Sequence, residues 1–253
     1  MSLCENCVKG FKHEGTPEGT IEEIDGIDCY VATPKGDYDK NVVVLMLTDI
    51  FGLALVNNKL LADDFARHGF KVVVPNLFQE PAPADGLNPG STFDLGAWFG
   101  RNGVDYSEPR ARKVLAALKA QGIAKVGVTG YCYGARTGFN LAFENAIAAL
   151  VVAHPSLLQV PQDMETLKAK SNVPVLINSC EVDQMFPLEA QAKTDELLGN
   201  GQYAPGYLRT YWEGCTHGFS VRGDLSDPKV LAGKEGAFKA TCNWFHKYLL
   251  GKQ

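Results

Sequence analysis

Apolar, largely β-branched runs recur along this chain, and stretches with helical spacing separate them. That alternation limits the fold more than any other feature. The runs are "NVVVLML" (41–47), "KVVVPNLF" (71–78), "AKVGVTG" (124–130), "IAALVVAH" (147–154) and "VPVLINSC" (173–180), with the more mixed "GYLRTYW" (206–212) after them. Continuous apolar runs of this length belong to strands buried on both faces, as in a parallel sheet. The stretch 55–70 carries Leu55, Leu60, Leu61 and Phe65 at helical spacing and ends at Gly69, a stop signal. Further helices are expected over 107–122, with Ser107 as the cap and Pro109 in the first turn, over 135–146 and over 188–201. An amphipathic helix over 236–250 closes the chain. Before the first run, "TIEEIDGIDCYVATP" (20–34) reads as a hairpin turning at Asp25-Gly26. From 79 to 106 the pattern dissolves into Pro, Ala, Gly and Asn around Phe93, Trp98 and Phe99, a kind of segment that often carries function. The order predicts an α/β fold with a mainly parallel central sheet and helices on both faces. No repeat, low-complexity tract or linker divides the chain, so one domain is expected over 1–253.

Composition narrows the function classes. With 253 residues, 45% of them hydrophobic, the chain has enough apolar material for a large core. A net charge of −5 without a basic stripe argues against nucleic-acid partners. The apolar runs are too short to span a bilayer, and "MSLCENCVKGFKHEG" (1–15) lacks the apolar core of a secretory signal. A cytoplasmic protein, monomeric or homodimeric, is the expectation. Seven cysteines, an odd and thinly spread set, suit reduced thiols better than a disulfide framework. Cys4-x-x-Cys7, even with His13 or Cys29, lacks the second pair of a zinc site. Neither a metal nor a cofactor is expected.

Sites in open parallel sheets gather at the carboxyl ends of the strands. There the chain places Thr48-Asp49-Ile50-Phe51-Gly52, Tyr131-Cys132-Tyr133-Gly134, His154-Pro155-Ser156, Cys180-Glu181-Val182-Asp183, and Glu213 through Phe219 with His217 inside. A nucleophile, an acid and a histidine thus follow three strands in that chain order, which is the order of the α/β-hydrolase fold. The sequence "GVTGYCYGAR" (127–136) contains G-x-C-x-G, the thiol form of the nucleophile elbow. Glycines on either side let strand and helix pass closely while the turn lifts the sulfur clear of the sheet. On this reading Cys132 is the nucleophile, His217 its base and Asp183 the group that orients the imidazole. The amides of Tyr133, at the helix N-terminus, and of Ile50, after the first parallel strand, are the oxyanion donors.

The motifs "TDIFG", "VPNLF", "GYCYGA", "EVDQMFP" and "CTHGFSVRG" occur in one order over nearly the whole chain. In that order they resemble the dienelactone hydrolase (carboxymethylenebutenolidase) family, and the wording of "AHPS" and "HGFSVRGD" is most similar to its fungal branch. The resemblance implies the same assignment of Cys132, Asp183 and His217 and a small ester or enol lactone as substrate. It also implies a thiol-activating role for Asp49, which stands where the family carries a glutamate that bonds the resting thiol. It implies a substrate-carboxylate anchor at Arg222, one residue further from His217 than the bacterial pattern. A second anchoring arginine has only Arg101 as its candidate.

Bland readings stand beside these. Cys132 is a small buried hydrophobe in most contexts. Asp183 and Asp49 suit turns, with Glu181 competing for the acid role, and Arg222 suits a solvated surface. His154 either lines the site or serves the core. Tyr131 packs near the elbow, and Trp98 and Phe99 either line a pocket or pin their loop. Two rival functions use the same scaffold. One is a tailoring enzyme of polyketide-type biosynthesis, acting as a thioesterase or in cyclisation or C–C cleavage. The other is a non-catalytic binding module, against which the intact set of three residues argues.

Overall fold

A computed structural model describes residues 13–87 and 90–252. Cys4 and Cys7 lie outside the described residues. Elements follow in the order β1 (Thr20–Ile24), β2 (Ile27–Ala32), β3 (Val42–Leu47), α1 (Val56–Arg67), β4 (Lys71–Pro75), α2 (Leu95–Asn102), α3 (Val104–Ala120) and β5 (Lys125–Tyr131). Then come α4 (Gly134–Phe143), β6 (Ala149–Ala153), α5 (Gln162–Lys170), β7 (Val175–Val182), α6 (Leu188–Leu198), β8 (Tyr207–Thr216), α7 (Phe219–Arg222) and α8 (Pro228–Leu250). One eight-stranded sheet has the order β1-β2-β4-β3-β5-β6-β7-β8. Pairing is antiparallel for β1/β2 and β2/β4 and parallel for the rest. The expected hairpin turns at Asp25 (φ 50°) and Gly26 (φ 73°), both left-handed as a two-residue hairpin loop requires.

The central strands are continuously buried, β3, β4 and β6 almost throughout, because helices cover both faces. Neighbouring residues of β5 show this: a Cβ on Gly127 would meet Leu249 and Phe245 of α8, whereas the Val128 side chain faces Gly138 of α4. Successive strand residues point to opposite faces, so α8 and α4 lie on opposite sides of the sheet. Helix α1 shares the α8 face, with Phe65 stacked 4.7 Å from Phe238.

Several elements depart from the sequence expectation: α8 begins at Pro228, not at Gly236, and α5 was not expected. Helix α3 begins at Val104, not at Ser107. Gly103 is its cap, and the Ser107 hydroxyl is buried 2.8 Å from the Tyr133 hydroxyl instead. Within the segment that looked irregular, residues 95–102 form α2, capped by the Asp94 side chain on the Ala97 amide. Strand β8 does not end at Trp212 but runs on to Thr216, through Gly214 at φ 76° and a register irregularity opposite Cys180–Val182. Among the described residues no helix is long and apolar enough to cross a membrane.

Candidate active site

Sheet register assembles the site before any side chain acts. Leu47 pairs with Gly130, so Asp49 and Cys132 each follow two residues later on adjacent strands. Tyr131 pairs with Ala153, so Cys132 and His154 leave the sheet side by side. Val182 pairs with Thr216, so Asp183 and His217 do the same. Adjacent strands lie only about 4.8 Å apart, which brings these side chains within reach of one another.

At the end of β5 the backbone reverses sharply. Cys132 sits at φ 50° and Tyr133 is already helical at φ −54°. Left-handed backbone is costly for a residue with a Cβ, so surrounding contacts must hold it. They do: Cys132 N donates to Ala153 O (3.1 Å) and Cys132 O accepts from Ser156 N (2.9 Å). The flanking glycines serve a close approach. A Cβ on Gly134 would lie 2.3 Å from Leu47 O, and one on Gly130 would lie 2.9 Å from Gly134 O.

His217 is buried, and its Nδ1 lies 2.9 Å from Asp183 Oδ1. The same oxygen accepts from the amides of Met185 (2.8 Å) and Phe186 (3.1 Å), which fixes the carboxylate. Burial lowers the pKa of His217, but the neighbouring Cys132 sulfur and Asp183 carboxylate outweigh it and raise it to about 10. Ser156, quoted above without a role, lies close to both ends of this array. Its Oγ is 3.3 Å from Cys132 Sγ and 3.5 Å from His217 Nε2.

These groups open on a cavity of about 430 Å³ lined by Asp49, Ile50, Cys132, Tyr133, Ser156, His217 and Arg222, with apolar walls from Phe51, Leu87, Leu95, Phe99, Leu157 and Met185. Asp49 is in the lining, but its resting contacts differ from those the resemblance implies. Its Oδ1 accepts from Phe51 N (3.2 Å) and Asn58 Nδ2 (3.0 Å), while Oδ2 is buried without a hydrogen-bond partner among the described residues. The shorter side chain curls onto its own turn, and the Ser156 hydroxyl lies within hydrogen-bond reach of the thiol. Burial pushes the Asp49 carboxyl up, against the lowering influence of Arg222, Asn58, the Phe51 amide and His217. Arg222, far from being solvated, is buried with its guanidinium 5.2 Å over the Phe51 ring.

Four expected lining residues lie elsewhere. Arg101 points outward into an ion pair with Glu80. Trp98 is fully buried and donates from Nε1 to Glu80 O (2.8 Å), so it pins its loop, and Phe99 faces the cavity instead. Tyr131 is buried below the floor, among Leu61, Lys234 and Thr241. His154 is fully buried, bonded through Nε2 to Ser220 Oγ (2.8 Å), with its ring 5.0 Å from that of His217. Burial first, then the charges of His217 and Arg222, hold its pKa well below the ordinary histidine value, so it supports His217 from behind as a neutral ring. His13 bonds Asn57 and Gly223 O, and Cys29 is buried in β2. Among the described residues all five cysteines are free, and no cluster of His, Cys, Asp and Glu could hold a metal.

Residues 27–249 match the sequence profile of the dienelactone hydrolase family. The chain is 33% identical to Dienlactone hydrolase 1 of Gibberella moniliformis, covering 98% of this chain and 94% of that one. It is 31% identical to Hydrolase pyvD of Aspergillus violaceofuscus, covering 96% of each. Among solved structures, a promiscuous dienelactone hydrolase-like phosphotriesterase from metagenomic libraries superposes with a TM-score of 0.66 at 20% identity, covering 90% of this chain and 96% of that one.

Proposed function

Because the chain belongs to the dienelactone hydrolase family and is a hydrolase of the α/β-hydrolase fold, we propose that it cleaves a small ester or enol lactone through an acyl-thioester on Cys132, with His217 and Asp183 completing the triad. One observation carries this reading. A strained cysteine and an Asp183-bound histidine face the same apolar cavity, with a serine oxygen within reach of both sulfur and imidazole.

Raising the His217 pKa to about 10 favours the imidazolium at neutral pH, and an adjacent imidazolium favours the thiolate. The thiolate attacks the carbonyl carbon, a C–S bond forms, and the carbonyl π electrons move to oxygen. The amides of Ile50 and Tyr133, both at the cavity wall, receive that oxyanion. Collapse breaks the C–O bond, and His217 gives its proton to the leaving alkoxide or enolate. Acylation also removes the sulfur's negative charge, one of the two influences that hold His217 protonated. The imidazole is then basic but unprotonated, the state required to take a proton from the attacking water. Collapse of the second tetrahedral intermediate expels the thiolate and releases the acid. Enolate leaving groups suit this site because they depart with little protonation.

The test is turnover of p-nitrophenyl acetate and of a dienelactone by wild type and Cys132→Ala. Loss of about 10³-fold or more in kcat is expected for the variant. Equal activity of the two proteins would overturn the mechanism.

A further inference from the structure

We infer that Ser156 is a fourth working member of this site, holding the resting sulfur through its hydroxyl and linking it to His217. The inference rests on the Cys132 mechanism above and goes beyond it. Four observations converge. The Ser156 Oγ lies within hydrogen-bond reach of Cys132 Sγ at 3.3 Å and of His217 Nε2 at 3.5 Å. Its amide donates to Cys132 O at 2.9 Å, so backbone and side chain both grip the elbow. The residue is buried and lines the cavity beside the sulfur. Finally, its segment is bent to reach there: His154 at φ 38° and Leu157 at φ 64° are both left-handed without being glycine.

A hydroxyl can donate one proton while accepting another. In the ion-paired state the imidazolium Nε2–H donates to Ser156 Oγ, and Ser156 Oγ–H donates to the thiolate. In the neutral state the thiol S–H donates to Oγ, and Oγ–H donates to the unprotonated Nε2. Passage between the states moves one proton from sulfur to serine as another moves from serine to imidazole. No group gains or loses net hydrogen except Cys132 and His217. The serine thereby does for the resting thiol what Asp49, tied to Phe51 N and Asn58, does not do in this structure. When sulfur attacks a carbonyl the hydroxyl is released, and Nε2–H is free to turn to the leaving group. The other titratable or charged groups facing this array are Asp183 after β7, Asp49 after β3, His154 after β6 and Arg222 on α7.

The test compares the pH dependence of Cys132 alkylation by iodoacetamide, read by mass, in wild type, Ser156→Ala, Ser156→Thr and Ser156→Val. Hydrogen bonds to charged groups are strong, so losing one to the thiolate disfavours the reactive form by about tenfold. Ser156→Ala is therefore expected to be alkylated about tenfold more slowly on the acid side of the profile. Its kcat for p-nitrophenyl acetate falls by about the same factor, with KM within about twofold of wild type. Threonine and valine are close in shape and differ by a hydroxyl. Recovery of the wild-type profile in Ser156→Thr but not in Ser156→Val assigns the effect to the oxygen, even where alanine disturbs the fold. A wild-type profile in both Ser156→Ala and Ser156→Val, or equal loss in Thr and Val variants that melt like wild type, would overturn the inference. The Cys132→Ala control separates the two claims. If it abolishes turnover while Ser156→Ala and Ser156→Val behave as wild type, the triad stands and only the serine role fails.

Discussion

A buried histidine ordinarily gives up its proton, because burial penalises the charged ring. At His217 that penalty is overcome by Cys132 and Asp183, and the pKa is raised to about 10. The ring is thus a reporter of both partners. Replacing Asp183 by Asn removes one raising influence and substitutes an amide for the acceptor at Nδ1. The imidazolium is then lost at a lower pH, and with it the thiolate at neutral pH. Alkylation of Cys132 by iodoacetamide at pH 7 is expected to slow by about tenfold or more. The kcat for p-nitrophenyl acetate should drop by three to four orders of magnitude, about the cost of the same change in serine triads. The sign is fixed by linkage: a raised histidine pKa keeps the ring charged up to about pH 10, so losing the cause removes the thiolate's counter-charge near neutral pH and slows alkylation there, on the acid side of the profile. An unchanged alkylation profile in a folded Asp183→Asn protein would show that the carboxylate does not set the charge on His217. Residue types at strand ends pointed to Cys132, Asp183 and His217 as candidates, since a nucleophile, an acid and a base each just behind a strand in that chain order form a recognisable pattern. Ser156 carried no such announcement, because a serine after a proline is ordinary and only its closeness to both Sγ and Nε2 distinguishes it.

At the scale of elements, the elbow works because β3, β5 and α4 crowd one another. Gly134 is the tightest point, with Leu47 O 2.3 Å from where a Cβ would sit. Gly134→Ala forces backbone, not a flexible side chain, to move, and is expected to cost about 1–3 kcal/mol or more of stability. The same shift displaces Cys132, so activity falls in molecules that remain folded. Gly100→Ala, on α2 with no heavy atom within 4 Å of the new Cβ, is the contrasting change and should stabilise by up to about 1 kcal/mol. Urea unfolding of both variants checks this, and a Gly134→Ala protein as stable as wild type would show that the crowding is relieved elsewhere. The glycines, the buried strands and the helix ending at Gly69 were legible because each has a local cause. Helix α3 was misjudged at its start because a tertiary partner, the Tyr133 hydroxyl, claimed Ser107. Strand β8 was judged too short because pairing with β7 carries it past Gly214, a residue that locally reads as a stop.

The whole molecule decides what reaches the site. The mainly parallel sheet could be read from the chain, since it follows from alternation, and the carboxyl-end rule named the loops to inspect; the strand order could not be read that way. Nor could the lining, because it is contributed by loops that meet only once the sheet has formed. Arg101 lies on the same helix as Phe99, yet one pairs with Glu80 outside and the other faces the cavity. The result is a mostly apolar chamber in which Arg222 is the only lysine or arginine among the described lining residues, inside a protein of net charge −5. Such a field disfavours anions in solution, so an anionic substrate gains at Arg222 and at the protonated His217. Two substrate series test this balance. Along neutral p-nitrophenyl esters of growing acyl length, kcat/KM should rise by up to about fourfold per added CH₂, the worth of burying one methylene, until the chamber of about 430 Å³ is filled. Along matched esters ending in a carboxylate, Arg222→Gln should raise KM by about tenfold, the scale of a charge-assisted hydrogen bond, and leave the neutral series within about twofold. Equal losses on both series would mean that Arg222 serves the cavity wall through its packing on Phe51, with no part in holding an anion.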